Sequence, residues 1–234
     1  VSKRYRHQPV RRVHIPKDKG KTRPIGISAF EDKLVQDAVR EVLEAIYEQD
    51  FLPCSHGFRP KRSAHDGIRA LDRIMHRGKV SWILEADIMS FFDSLVRTEL
   101  MGMLQVRVAD GSLLRLIGKC LHVGVLDGAA YAEPDTGTAQ GSVLSPLLGN
   151  VYLHYVLDLW FEREVKPRLR GEAHLTRLLP FRRPPAAQTG GKGPATFDFL
   201  GFTLYYQRAR SGLWGMMCKT RHARLRRSVQ AVAA

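Results

Sequence analysis

The stretch WILEADIMSFFDSL, residues 82–95, places an acid at the end of an apolar run and two aromatic rings just beyond it. Trp82, Ile83 and Leu84 read as the interior of a strand, and Asp87 falls where that strand should end. A carboxylate there suits phosphoryl transfer, where acids hold Mg²⁺ between an attacking hydroxyl and a leaving phosphate. On spacing alone, three plainer outcomes are commoner: a solvated Asp87, Phe92 as a core ring, and Asp93 as a helix cap.

Working outward, the first 27 residues alternate basic and apolar positions around the turn KDKGK, which predicts a basic hairpin. Residues 28–52 predict a helix. Ser28 and Glu31 offer a capping box, Leu34, Val35, Ala38, Val39, Val42, Leu43 and Ile46 share a face, and Pro53 ends it. Ser63 with Asp66 predicts the start of a second helix, with Ile68, Leu71, Ile74 and Met75 as its apolar side. After the strand, helical segments are expected near 100–104 and 113–123, then a Gly-rich connection. From Ser145 a long helix is predicted, with Ser145 as N-cap, Pro146 at its first turn, and Leu148, Tyr152, Tyr155, Leu159 and Trp160 as its buried stripe. Residues 171–195 carry prolines and glycines without a period and read as a linker or irregular connection. The run TFDFLGFTLYY reads as an aromatic strand, and the basic tail from Cys218 as helical in tendency.

The 234 residues carry 37 Lys and Arg against 23 Asp and Glu, a formal charge of +14, with a pI near 10.1. Such an excess points to a polyanionic partner. No run of about 18 apolar residues offers a membrane span, and the amino end has no apolar signal core, so nucleic acid is the expected partner rather than a membrane. Cys54, Cys120 and Cys218 stand far apart without a C-x-x-C pairing. That predicts buried thiols in a reducing cytoplasm rather than a zinc site or disulfides. The chain opens on Val1, as a processed, trimmed or partial product does.

Arg11, Lys17 and Arg23 recur at intervals of six along the predicted hairpin, a spacing that can place cations on one side of a strand. Converging cations suit a triphosphate, since Arg donates bidentate hydrogen bonds and Lys acts as a point charge. A solvated basic hairpin fits the same spacing. Gln140 and Gly141 stand just before the long helix, where a glycine allows close backbone approach to a ligand, though an ordinary turn is also consistent.

Taken in order, RRVHIPKDKGKTRPIGI, HGFRPKRSAHDGI, EADIMSFFDSL, GTAQGSVLSPLLGNVYL and FDFLGF closely resemble bacterial group II intron-encoded reverse transcriptases, RNA-directed DNA polymerases that also act as maturases. The resemblance spans about Arg11 to Thr203. It implies an α+β right-hand polymerase: fingers over 1–80, a palm with an antiparallel sheet packed on helices over 81–205, and the start of a truncated thumb or maturase region over 206–234. It further implies Asp87 as a catalytic Mg²⁺ ligand assisted by the Ile88 carbonyl, and Phe92 as the ring that excludes a 2′-hydroxyl. Arg11, Lys17 and Arg23 match residues that grip the triphosphate. Gln140 and Gly141 match the nucleotide-pocket loop, where Ala139 replaces the usual Pro. Phe199, Leu200 and Gly201 match the region near the primer end. Arg59 organises the fingers or contacts template, and the sequence leaves both open. The implied partners are an RNA template with a DNA primer, intron RNA and deoxynucleoside triphosphates.

One departure is large. The family's catalytic hairpin carries Tyr-Ala-Asp-Asp, and this chain has no Asp-Asp pair. The irregular stretch 171–195 stands where that hairpin belongs, and beyond Arg163 the only acids are Glu164, Glu172 and Asp198. A catalytically impaired polymerase is the expectation; a non-catalytic RNA-binding module or a degenerate remnant is the alternative.

Overall fold

The computed structural model describes residues 5–16, 22–77, 82–85, 88, 90–138, 141–169, 173, 175–177, 179–180, 197–199, 202–208 and 214–220. The chain divides into two compact units, Val1–Lys61 with Ile88–Arg168, and Arg62–Asp87 with Leu169–Ala234.

In the first unit the predicted basic hairpin is present. Strands β1 (Val10–Pro16) and β2 (Thr22–Ile27) are antiparallel, and their register pairs Arg11 with Ile27, Val13 with Ile25 and Ile15 with Arg23. β1 also runs parallel to β4 (Val125–Asp127), which turns at Gly128 into β5 (Ala130–Ala132), giving the sheet order β2-β1-β4-β5. This second hairpin lies in what the sequence presents as a Gly-rich connection. Its two strands have three residues each, too few for an alternation to show.

Helix α1 (Phe30–Tyr47) forms, and Val39, Leu43 and Ile46 of its predicted face pack in the core, but the buried face is rotated from the predicted one. Its buried positions are Asp32, Gln36, Val39, Leu43 and Tyr47, whereas Leu34 and Val42 are about half exposed. The Ser28–Glu31 capping box does not form: Ala29 is the N-cap, without a side-chain bond. The buried Ser28 hydroxyl is instead engaged by the Gln36 amide at 3.3 Å.

α1 packs with α4 (Arg97–Gln105), α5 (Gly111–Leu121) and α6 (Ser145–Leu153) around one core. Leu43, Tyr47, Leu100, Leu104, Ile117 and Val151 within it are fully buried. Truncating one of these leucines to alanine costs about 2–5 kcal/mol in such settings. A smaller cluster, Val10, Val123 and Val125, seats the sheet. Leu144, not Ser145, is the N-cap of α6. Two π-helical turns follow, His154–Asp158 and Phe161–Val165. The residue inserted by the first of them rotates the downstream face by roughly 100°, so Tyr152 and Tyr155 pack on the core while Trp160, just beyond that turn, is 51% exposed. Cys120 is buried as expected, but Cys54 is exposed.

In the second unit α2 (Ala64–Arg77) carries the predicted cap. The Ser63 hydroxyl donates to the Asp66 carboxylate at 2.7 Å and the Asp66 amide returns a bond to that hydroxyl at 3.3 Å. Ile68, Leu71 and Met75 are buried. Strand β3 (Trp82–Glu85) lies at the centre of a mixed sheet. It is parallel to β6 (Leu175–Arg177) and antiparallel to β7 (Leu179–Pro180). The palm sheet expected as antiparallel is thus mixed here, and part of the stretch read as irregular is strand, because β3 supplies hydrogen-bonding edges that local composition cannot reveal. β8 (Phe197–Phe199), β9 (Phe202–Arg208) and β10 (Trp214–Thr220) form an antiparallel meander. Residues 218–220 therefore continue a strand rather than open a helix, and the basic tail beyond them lies outside the described residues. No helix among the described residues is long and apolar enough to cross a membrane.

The π-helical segment generates a prediction. Partial burial pushes the Asp158 carboxyl from its ordinary 3.8 up to about 6, with Arg59 pulling the other way. Between these values the folded state holds a proton that the unfolded state has released, so stability falls as pH rises through that window. Asp158→Asn should gain about 1 kcal/mol at pH 7, a value discounted for partial solvation, and almost nothing below pH ~4. Urea melts of both proteins at the two pH values check this.

Candidate functional site

Two of the residues that resemble a nucleotide pocket, Phe92 and Gly141, stand at the loop that joins β5 to α6 in the first unit. At its upstream end, the Thr138 amide donates to the Phe92 carbonyl at 2.7 Å and the Gly137 amide to the Leu95 carbonyl at 2.8 Å. The Thr136 hydroxyl donates to the Asp93 carbonyl at 3.1 Å. From behind, Arg97 donates through Nε to the Gly137 carbonyl at 2.8 Å and through Nη2 to the Thr136 carbonyl at 3.1 Å. Gly137 is held at φ +78, and a Cβ there would stand 2.7 Å from the Phe92 carbonyl oxygen. Only glycine permits this approach.

At the downstream end, Gly141 has φ +108, and a Cβ would lie 2.6 Å from both the Gly26 carbonyl oxygen and Ile25 Cγ2. One loop therefore touches the backbone of Phe92 at one end and that of β2 at the other.

Phe92 itself sits on a short helix, α3 (Phe91–Ser94), entered through Ser90 at φ +52. Its ring is half-buried, tilted against Phe91 with centroids 5.2 Å apart. It presses on Gly149 of α6, where a Cβ would come within 3.1 Å of it. A ring wedged this way is a rigid steric surface, which is what discrimination by shape requires.

Of the other candidates, Arg11 is exposed on β1. The ladder gives positions 11 and 23 the same parity, through the pairs Arg11 with Ile27 and Ile15 with Arg23. Ile88 is 50% exposed, and Phe199 ends β8 in the second unit. Asp87, Lys17, Gln140, Leu200 and Gly201 lie outside the described residues. Of the metal ligands that the resemblance implies, only Ile88 is described. Among the described residues no three His, Cys, Asp or Glu side chains stand close enough to hold a metal ion. The described residues therefore do not make up a metal site.

Arg59 is decided by geometry. Nε and Nη2 donate to the two Glu48 oxygens at 2.9 Å each, and Nη1 to the carbonyls of Leu52 and Ser55 at 3.0 Å each. The guanidinium lies over the Phe51 ring at 5.2 Å, and the residue is 7% exposed. It organises the turn that leaves α1. Sequence reasoning missed Arg97 and Gly137; an arginine inside a predicted helical segment carries no mark of burial, and Gly137 resembles any turn glycine.

Two outcomes follow from these contacts. Gly141→Ala should lose about 2 kcal/mol or more in a denaturant melt, because a Cβ meets backbone at a φ reserved for glycine; wild-type stability would contradict the close contact. Arg59→Ala should cost about 2–3 kcal/mol by stranding Glu48 and two carbonyls, while RNA affinity of the folded protein, measured by filter binding, stays unchanged.

Residues 15–174 match the family described as reverse transcriptase (RNA-dependent DNA polymerase). The chain is 43% identical over 175 residues to the group II intron-encoded protein LtrA of Lactococcus lactis subsp. cremoris, covering 72% of this chain and 29% of that protein. It is 37% identical over 175 residues to Protein YkfC of Escherichia coli K12, covering 73% and 45%. It is 41% identical over 161 residues to a 91 kDa protein in the cob intron of Schizosaccharomyces pombe, covering 69% and 20%. The chain thus spans under half the length of these relatives. A chain of the partial Cas6-RT-Cas1--Cas2 complex is similar at TM-score 0.43 and 25% identity, over 69% of this chain and 27% of that one. Reverse transcriptases generally use a divalent metal and act on a nucleic acid template and primer. With the reverse transcriptase family matched over residues 15–174, most of this chain, and a group II intron-encoded relative at 43% identity, the chain belongs to the group II intron-type reverse transcriptases.

Proposed function

We propose that this chain is a group II intron-type RNA-directed DNA polymerase that keeps the nucleotide-gripping front of the enzyme and is impaired in the chemical step. The observation that supports it is the loop 136–143, bonded to the Phe92 backbone at one end and pressed on β2 at Gly26 at the other. In this reading Arg11, Lys17 and Arg23 hold the triphosphate through charge-assisted hydrogen bonds. Gln140 and Gly141 belong to the loop lining the nucleotide pocket. The Phe92 ring leaves no room for a 2′-hydroxyl, and Phe199, Leu200 and Gly201 lie along the primer end. The fingers take residues 1–80, the palm 81–205, and the thumb begins at 206–234.

Impairment follows from the acids. Mg²⁺ is the family's expected ion, and two such ions need several oxygen ligands between them. Asp87 with the Ile88 carbonyl is too small a set, and no Asp-Asp pair exists to complete it. The partners are an RNA template with a DNA primer, cognate intron RNA and deoxynucleoside triphosphates, in the cytoplasm and away from membranes. The +14 charge favours this partnership through counterion release, which makes RNA affinity fall steeply with salt.

Primer extension on an RNA template with Mg²⁺ and deoxynucleotides should give no product above background, while a fluorescent deoxynucleoside triphosphate still binds. Arg11→Ala should weaken that binding about tenfold, the worth of one charge-assisted hydrogen bond. Robust extension that Asp87→Ala abolishes would overturn the impairment, and nucleotide binding indifferent to Arg11 would overturn its role in the grip.

A further inference from the structure

A buried polar network links three segments that the sequence keeps far apart. Gln36, 1% exposed, stands at its centre on the inward face of α1. Its carbonyl oxygen Oε1 accepts from the Val143 amide at 3.1 Å and from the Ser142 hydroxyl at 3.0 Å. Its amide Nε2 meets the Ser28 hydroxyl at 3.3 Å and His7 Nε2 at 2.7 Å. All four hydrogen-bonding positions of the amide are used, as burial demands.

The orientation of that amide is forced rather than chosen. A backbone N–H can only donate, so Oε1 faces Val143 and Nε2 faces His7. His7 Nε2 must then accept, which places the ring hydrogen on Nδ1. Nδ1 lies 2.7 Å from the Gln8 carbonyl oxygen and 3.3 Å from Asp32 Oδ2. Asp32 is in turn held by the Tyr5 hydroxyl at 2.6 Å and the Gln8 amide at 3.0 Å. Lys119 of α5 fastens the same amino-terminal segment through the Tyr5 carbonyl at 2.6 Å.

The segments joined are functional ones in the reading above. Ser28 directly follows β2, the strand of the basic hairpin. Ser142 and Val143 directly follow Gly141, whose backbone touches Gly26 of that strand. We infer that Gln36 is a positioning residue for the nucleotide pocket: its amide fixes the gap between the basic hairpin and the 141–143 loop, with His7 and Asp32 fixing the amide. This rests on the proposed nucleotide-binding reading. Gln36 touches no nucleotide; it acts through the two elements that would.

Gln36→Met keeps the volume and removes every hydrogen bond. In the full chain, hydrogen exchange at the Val143 amide should accelerate about tenfold, with Gly137 and Thr138 unchanged because Phe92 and Leu95 hold them. Affinity for a fluorescent deoxynucleoside triphosphate should fall about tenfold while RNA affinity holds. Gln36→Glu retains the acceptor oxygen toward Val143 and Ser142, so it should keep Val143 protection and bind nucleotide within about threefold of wild type. Ser142→Ala probes the contact from the loop side should Gln36→Met not fold, and should weaken nucleotide binding about threefold with a cooperative melt. Wild-type nucleotide affinity in a folded Gln36→Met or Ser142→Ala protein would overturn the inference. Failure of the unsubstituted chain to bind nucleotide would instead overturn the pocket reading, and the inference with it.

Discussion

A buried guanidinium holds the front of this molecule together. Arg97 is 6% exposed and spends its hydrogen bonds on the carbonyls of Gly137 and Thr136. Removing its charge from water lowers its pKa, with Asp135 pulling it back up. Backbone carbonyls, being dipoles pointed at the cation, stabilise it where a surface ion pair would not reach. Because both carbonyls belong to one loop, the arginine draws that loop down onto the backbone of Phe92 to Leu95. Both glycines of the loop then become obligatory, since neither approach leaves space for a Cβ.

Seen from this contact, the loop between β5 and α6 is a clamp with two ends. The upstream end fixes the segment that carries the Phe92 ring, and Gly149 of α6 supports that ring from below. The downstream end rests on β2, within the hairpin that carries Arg11. The proposed nucleotide pocket would need cations, a steric wall and a backbone surface held at fixed separations, and contacts between backbones fix such separations. The same economy explains Arg59. A cation in a basic protein invites a nucleic-acid reading, yet four hydrogen bonds and a ring commit it to the turn after α1.

The helical face of α1 shows where periodicity misleads. Val39 and Leu43 of the apolar stripe turn inward, but Leu34 and Val42 of the same stripe do not, and Asp32, Gln36 and Tyr47 are buried instead. Two polar residues are buried because the amino-terminal segment and the 142–143 loop supply partners for them, and a satisfied polar network tolerates burial. A hydrophobic count cannot anticipate partners located 24 to 107 residues away. Likewise the strands β6 and β7 exist because β3 offers them edges, not because LTR and LP are strand formers.

Local chemistry was legible from the chain alone: the basic hairpin, the Ser63–Asp66 cap, the ordered motifs of a reverse transcriptase, and the missing Asp-Asp pair. Each depends on neighbours within a few residues or on motif order, and both survive in one dimension. Tertiary structure alone decided that Asp32 and Gln36 of α1 are buried, that Trp160 turns outward past a π-helical turn, that Arg59 is a structural cation, and that Arg97 and Gln36 anchor opposite ends of one loop. Those outcomes depend on hydrogen-bond partners and packing surfaces contributed by distant segments, and a buried polar group is stable only where such partners arrive.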